Sequence, residues 1–343
     1  MKNKAIIGVN PLGTRWPVKN PFIFCAHHLD YYPPGNKYME PETSLDGRNI
    51  GNDFEGRDGW RMYHGDRVPG FPVHPHRGFE TITIVKTGFV DHSDSHGEAG
   101  RYGEGDVQWM TAGAGLQHSE MFPLLNEEGD NPLELFQVWL NLPKSKKFVE
   151  PHFKMLWSEE IPRVIIENGV SGRAEVDIIA GTFGGTRAPD PAPDSWASSP
   201  ENEVTILTIK LESDVQILLP PASRDTSRTI YFYRGGEIFV NEERFSSGRA
   251  IDLSPNADVV IKGGSEVNLI TVLQGKRIDE PVVQYGPFVM NTNEEILKAF
   301  EDYRKTEFGG WPWKRHDNVH PKDSSRFAKY RNREEIKPIR ERK

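Results

Sequence analysis

Two short runs, His74-Pro75-His76 and His118-Ser119-Glu120, constrain this chain most, because each sets two potential metal ligands two residues apart. On a β-strand alternate side chains share a face, so each run presents a ligand pair to one side. Two such strands facing one another bring three imidazoles and a carboxylate around one point. That donor set suits a single divalent metal with positions left open for substrate. In a chain with eleven histidines, His-x-His alone is a weak signal. Joined to a second pair that follows Gly113-Ala114-Gly115, it becomes a strong one.

The chain around these runs is built for strands. Thr81–Val85 is β-branched throughout, Val107–Thr111 follows the turn residues Gly103-Glu104-Gly105-Asp106, and Phe136, Val138 and Leu140 alternate with Gln137 and Trp139 inside a strand over 133–142. Strand patterns resume at 204–211, 215–219, 229–233, 237–240, 258–261 and 267–272. Residues 36–63 are polar, glycine-rich and aperiodic, which predicts a long surface loop over a site entrance. Residues 184–200 predict an ordered crossover. Ile296, Leu297, Phe300 and Tyr303 lie at helical spacing behind Thr292, a suitable N-cap. The expected organisation is an N-terminal metal-binding barrel over 1–150, connecting strands and a Pro-rich crossover over 151–203, a second barrel with the helix over 204–310, and a basic tail over 311–343.

Length favours two domains. The net charge of −8 argues against nucleic acid as the main ligand. Ser324–Lys343 carries eight Lys/Arg against three Glu and is expected to be a solvated end or a subunit contact. The lone Cys25, set among Phe22, Ile23, Phe24 and Ala26, excludes an intramolecular disulfide and fits a buried apolar position. No run approaches membrane-span length. A soluble protein of a reducing compartment is expected, the cytoplasm or, in a eukaryote, the nucleus.

Histidine is unevenly spread: His64, His74, His76, His92, His96 and His118 fall close together, whereas 153–315 has none. Of two similar halves, only the first can hold a histidine-ligated metal. His92 and His96 fall in turn-rich sequence and read as solvated loop residues, and His64 as a residue of the pocket rim. Trp109 and Met110 read as core, and Arg77 as one partner of a structural ion pair. The aromatic residues Phe71, Phe79, Phe89, Trp109 and Phe122 fit either a pocket lining or a core.

His74, His76 and Glu80, with Gly105, Gly113 and His118 after them, have the general shape of a cupin, although Thr111 stands where a proline is usual and the run from Gly113 to His118 is too long by two. A narrower match removes that discrepancy. His74-Pro-His-Arg-Gly-Phe-Glu-Thr81, Gly105-Asp-Val-Gln-Trp-Met-Thr-Ala-Gly113, His118-Ser-Glu120, Val149-Glu150-Pro151 and Glu280–Asn291 closely resemble the pirin family of bicupins, over most of residues 64–310. The resemblance implies an all-β bicupin, two antiparallel β-barrels with a short C-terminal helix. It implies His74, His76, His118 and Glu120 as metal ligands, with iron the usual metal and other divalent transition metals compatible. The general cupin pattern points instead to Glu80 as the fourth ligand. Glu80 shares strand parity with His76 and would then serve as a hydrogen-bond acceptor behind an imidazole.

The resemblance further implies a dioxygenase that opens a flavonol such as quercetin with O₂ and releases CO, with Glu120 taking the 3-hydroxyl proton. Its partners would be a small aromatic substrate and O₂. The alternative is a non-catalytic, metal-containing regulator that binds protein partners, as a transcription cofactor or a redox sensor. The same four ligands serve both.

Overall fold

The computed structural model describes residues 5–169 and 172–339. It is an all-β chain with a single α-helix among the described residues and a few 3₁₀ turns. Contacts divide it into two units assembled from separated segments. Unit one comprises Met1–Ala26, Val138–Pro143 and Glu159–Asp279, and unit two His27–Gln137, Lys144–Ser158 and Glu280–Lys343.

Unit one contains a seven-stranded antiparallel sheet in the order Ile6–Pro11, Arg249–Leu253, Thr226–Arg234, Asn268–Lys276, Thr205–Leu211, Ala174–Ala180, Arg163–Ile166. A four-stranded sheet, Gln216–Leu219, Val259–Gly263, Glu237–Val240, Glu243–Ser246, completes it. Burial alternates along Glu237–Val240 and Val259–Gly263, so one face of each strand supplies the interior. That interior is a continuous apolar cluster including Ile217, Ile230, Phe232, Ile238, Ile251 and Ile270. Cys25 is fully buried, as its neighbours predict.

Unit two is built on a five-stranded sheet (His152–Leu156, Val107–Thr111, Phe79–Thr87, and the parts of Asn131–Asn141 and Phe22–Tyr32 that fall within His27–Gln137) and a six-stranded one (Glu334–Lys337, Arg326–Lys329, Ala99–Gly103, Phe89–Asp94, Leu116–Met121, Gly70–His76). The strand orders are open in both units. The all-β architecture of two β-units is as the sequence leads one to expect, with the sheets of each unit left open as in a β-sandwich rather than closed into barrels. Trp109 and Met110 are fully buried, as are Phe79 and, nearly so, Phe122, which makes them core rather than pocket lining.

The helix Asn293–Thr306 starts where the sequence places it. The Thr292 side chain accepts from the Glu295 backbone N–H while the Glu295 side chain accepts from the cap backbone, a reciprocal capping box. Its neighbours differ from expectation. Ile296 and Ala299 pack with Phe288, Met290 and Phe308 in unit two, and Asp302 pairs with Arg77 at 2.9 Å. The helix therefore braces the histidine-bearing unit rather than the half that precedes it in sequence.

The basic C-terminal stretch is likewise not the solvated end expected from its composition. The strands Arg326–Lys329 and Glu334–Lys337 extend the six-stranded sheet next to Ala99–Gly103. Arg326 is fully buried and donates to Asp106 at 2.7 Å. Arg101, also fully buried, donates to the carbonyls of His320, Pro321, Lys322 and Ser324 and to the Asp91 carboxylate. The basic residues at these positions are internal ion-pair and carbonyl partners, so this stretch is part of the fold through residue 339.

Candidate metal centre

The strands Gly70–His76 and Leu116–Met121 pair antiparallel, with His74 opposite His118 and an irregularity between Phe71 and His74. Directly opposed residues on one face are the closest cross-strand neighbours, which is how ligands from the two runs meet. Tight turns set this register. Gly78, at φ +86°, lies so close to the Val289 carbonyl that an added Cβ would sit 2.0 Å from it. Gly113, at φ +44°, is held equally close to the Val149 carbonyl. Both positions require glycine, for conformation and for space. Arg77 locks the same corner, donating to the Ala114 carbonyl at 2.6 Å and to Asp302 at 2.9 Å. It is the structural ion-pair partner that the sequence suggests.

His74, His76 and His118 converge, each with a ring nitrogen within 4.8 Å of the others. His76 and His118 are buried and His74 is half-buried. Ring centroids are 4.4 Å apart for His74 and His118, 4.8 Å for His74 and His76, and 5.0 Å for His76 and His118. Two backbone carbonyls fix tautomers. His74 Nδ1–H donates to Pro72 O at 2.9 Å and His76 Nδ1–H donates, weakly, to Pro287 O at 3.4 Å. A carbonyl only accepts, so Nε2 of each ring keeps its lone pair. Burial lowers all three pKa values, that of His74 to about 4 and those of His76 and His118 well below 6.5, with repulsion from neighbouring imidazoles adding to the effect. The rings are therefore neutral at pH 7, the form that binds metal.

His118 provides the test of fit. Both of its ring nitrogens are buried without a hydrogen-bond partner. Such groups cost about 1–3 kcal/mol when left unsatisfied, and here one belongs to a cluster of three lone-pair donors. A divalent transition metal is the group this donor set accommodates.

Glu120 adjoins the cluster without entering it. Its Oε2 lies 3.8 Å from His118 Nε2, and its oxygens accept from Thr83 Oγ1 at 2.9 Å and Gln137 Nε2 at 2.8 Å. Burial raises its pKa, while the bonds from Thr83 and Gln137 and the nearby His92 hold it down. Glu80 is fully buried and accepts from Thr111 Oγ1 at 2.7 Å. It is not one of the converging groups.

His92 departs from the sequence reading. It lies on the strand Phe89–Asp94, fully buried, paired with Glu120 across the strands and with its ring 5.5 Å from that of His118. Its Nε2 is 3.3 Å from Asp94 Oδ2, so the carboxylate takes the Nε2–H and leaves Nδ1, buried, without a partner. The signal was in the strand parity, which puts Val90, His92 and Asp94 on one face. His96 is part of the turn, where Arg331 contacts it. His64 is exposed, near Phe71. Thr83 and Gln137, which hold Glu120, carry no motif and were not singled out.

No helix is long and apolar enough to cross a membrane among the described residues. Residues 49–140 match the pirin family, and residues 206–309 match the pirin C-terminal cupin domain. The chain is similar to Pirin-1 of Arabidopsis thaliana, 39% identical over 245 residues, covering 70% of this chain and 78% of that protein. It is also similar to Pirin of Homo sapiens, 34% identical over 257 residues, covering 72% and 80%. Its fold is similar to a crystal structure of quercetin 2,3-dioxygenase from Acinetobacter baumannii, with a TM-score of 0.70, 25% identity, and coverage of 90% of this chain and 99% of that one. With three imidazoles gathered on two paired strands and both cupin halves matched, the chain belongs to the pirin family of bicupins.

Proposed function

We propose that this protein is a metal-dependent dioxygenase that cleaves a flavonol such as quercetin, with His74, His76, His118 and Glu120 as the metal ligands and iron(II) as the resident metal. The observation that carries the reading is the convergence of three neutral imidazoles, two buried and one half-buried, in which both His118 nitrogens lack a hydrogen-bond partner. The likeness to the Acinetobacter quercetin 2,3-dioxygenase supports the choice of substrate class.

A divalent metal held there would supply a Lewis acid for the flavonol 3-oxygen and an open position beside it. The remaining work falls to the chain. Pro72 O and Pro287 O orient two of the ligand rings. Glu120 takes the proton of the 3-hydroxyl. Burial raises its pKa, which suits a base that must also release the proton, and Thr83 and Gln137 aim its oxygens. In the overall change both atoms of O₂ enter the ester product, the two ring bonds to carbon 3 break, and that carbon leaves as CO.

The test is anaerobic reconstitution with Fe(II), then quercetin and O₂ with CO detection, for wild type, His118→Ala and Glu120→Ala. CO release by wild type and its loss in both variants is the expected result. A wild type that binds metal through these residues and releases no CO, with iron, manganese, nickel or copper, would replace this reading with the regulator that binds protein partners.

A further inference from the structure

The loop that leads into the first ligand strand is held by a buried arginine. Arg48, its side chain 2% exposed, lies 3.4 Å over the Trp60 ring. It donates to the Asp53 carboxylate at 2.9 Å, to Trp60 O at 3.0 Å and to Arg57 O at 2.8 Å. Asp53 and Tyr63 exchange two backbone hydrogen bonds. The residues just beyond each, Phe54 and His64, are thereby set edge to face, with centroids 5.0 Å apart. Both are exposed, Phe54 to 45%. Phe71 lies 6.5 Å from Phe54 and 5.8 Å from His64, and its ring is 6.4 Å from His74, the half-buried member of the imidazole cluster. A run of aromatic rings thus leads from solvent to the accessible flank of the site. Within it His64 Nδ1–H donates to Gly51 O at 2.8 Å, which leaves Nε2 of this exposed ring as an acceptor.

We propose that Phe54 and His64 form a recognition wall for a phenolic ring of the substrate. The ring packs against Phe54, and a phenolic hydroxyl donates to His64 Nε2. The loop thereby selects for hydroxylated aromatic molecules at the end remote from the reacting atoms. The proposal rests on the reading of the imidazole cluster as the centre of an enzyme for such compounds. It adds two specificity-determining residues that lie outside the ligand motifs.

The test is anaerobic titration of the full-length Fe(II)-reconstituted chain with quercetin and with 3-hydroxyflavone, which keeps the 3-hydroxyl and lacks the phenolic ones. Phe54→Ala should weaken both ligands about tenfold through lost ring contact. His64→Phe keeps a ring against Phe54 and Phe71 but removes the acceptor. It should weaken quercetin about fivefold and leave 3-hydroxyflavone within about twofold. Metal content and thermal midpoint should match wild type, because both side chains are exposed. Unchanged affinities, or an equal loss of both ligands in His64→Phe, would overturn the proposal. Should wild type release no CO yet show this binding pattern, the dioxygenase reading fails and the recognition wall stands. Release of CO with unmoved Kd and KM gives the opposite outcome.

Discussion

The central strands of unit one turn Ile230, Phe232, Ile251, Ile270 and Val272 inward, and their cluster is apolar throughout. The strands Gly70–His76, Phe89–Asp94 and Leu116–Met121 of unit two bury His76, His92, Asp94, His118 and Glu120 instead. Both units are pairs of open antiparallel sheets, so the architecture does not require a polar interior. Buried imidazoles and carboxylates cost stability wherever their hydrogen bonding is incomplete, as it is at His92 and His118. Unit one also buries polar side chains, among them Arg228, Asp252 and Asn268, but it contains no histidine. Unit two departs from unit one at the residues a metal centre would use.

This contrast has measurable consequences. Phe232→Ala opens a cavity in the apolar cluster of unit one and should destabilise the chain by about 4 kcal/mol, read by chemical denaturation, with metal content unchanged. Arg326→Ala strands the buried Asp106 carboxylate in unit two and should cost about 3 kcal/mol, which would establish the C-terminal stretch as part of the fold. Loss of less than about 1 kcal/mol would return it to the solvated end that its composition suggests.

The third consequence is a pH dependence of the metal-free chain. His74 is neutral when folded, its pKa lowered by burial to about 4, whereas the unfolded chain takes up its proton near 6.5. Between those values the unfolded state binds more protons, so the His74 contribution to stability is present above 6.5 and is lost as pH falls towards 4. The raised carboxyls of Asp30, Asp106 and Glu120 act with the opposite sign. Comparing wild type with His74→Phe reads this imidazole together with its repulsion of His76 and His118. Wild type should lose stability relative to the variant as pH falls from 6.5 to 4, and parallel curves would show that His74 is not desolvated. The smallest effect concerns His118→Leu. In the metal-free chain it should change stability by no more than about 1 kcal/mol, because it removes two unsatisfied nitrogens along with the packing of the ring.

Much of this was legible in local pattern. Turn residues placed the strand Val107–Thr111, β-branching the core of Phe79–Thr87 and alternation the strand Asn131–Asn141, and helical spacing behind Thr292 placed the helix start. The two runs that carry the clustered imidazoles were visible because a strand reports its faces every second residue. What was missed depends on long-range pairing. Arg77 finds Asp302 across 225 positions and Arg326 finds Asp106 across 220, and neither partner is marked by sequence neighbours. For the same reason the helix sits with unit two although 204–276 precedes it in the chain. His92 was misplaced differently. The Asp and Ser residues around it carry turn propensity, yet the strand Phe89–Asp94 is pinned between Ala99–Gly103 and Leu116–Met121.

The most direct measurement is a crystal of the Fe(II)-loaded full-length chain with data collected on either side of the iron absorption edge. One anomalous peak per chain is expected, at bonding distance from ring nitrogens of His74, His76 and His118 with Glu120 alongside, and it should vanish in His118→Ala crystals. A peak anywhere else, or one that persists in His118→Ala, would contradict the assignment of the metal centre to unit two.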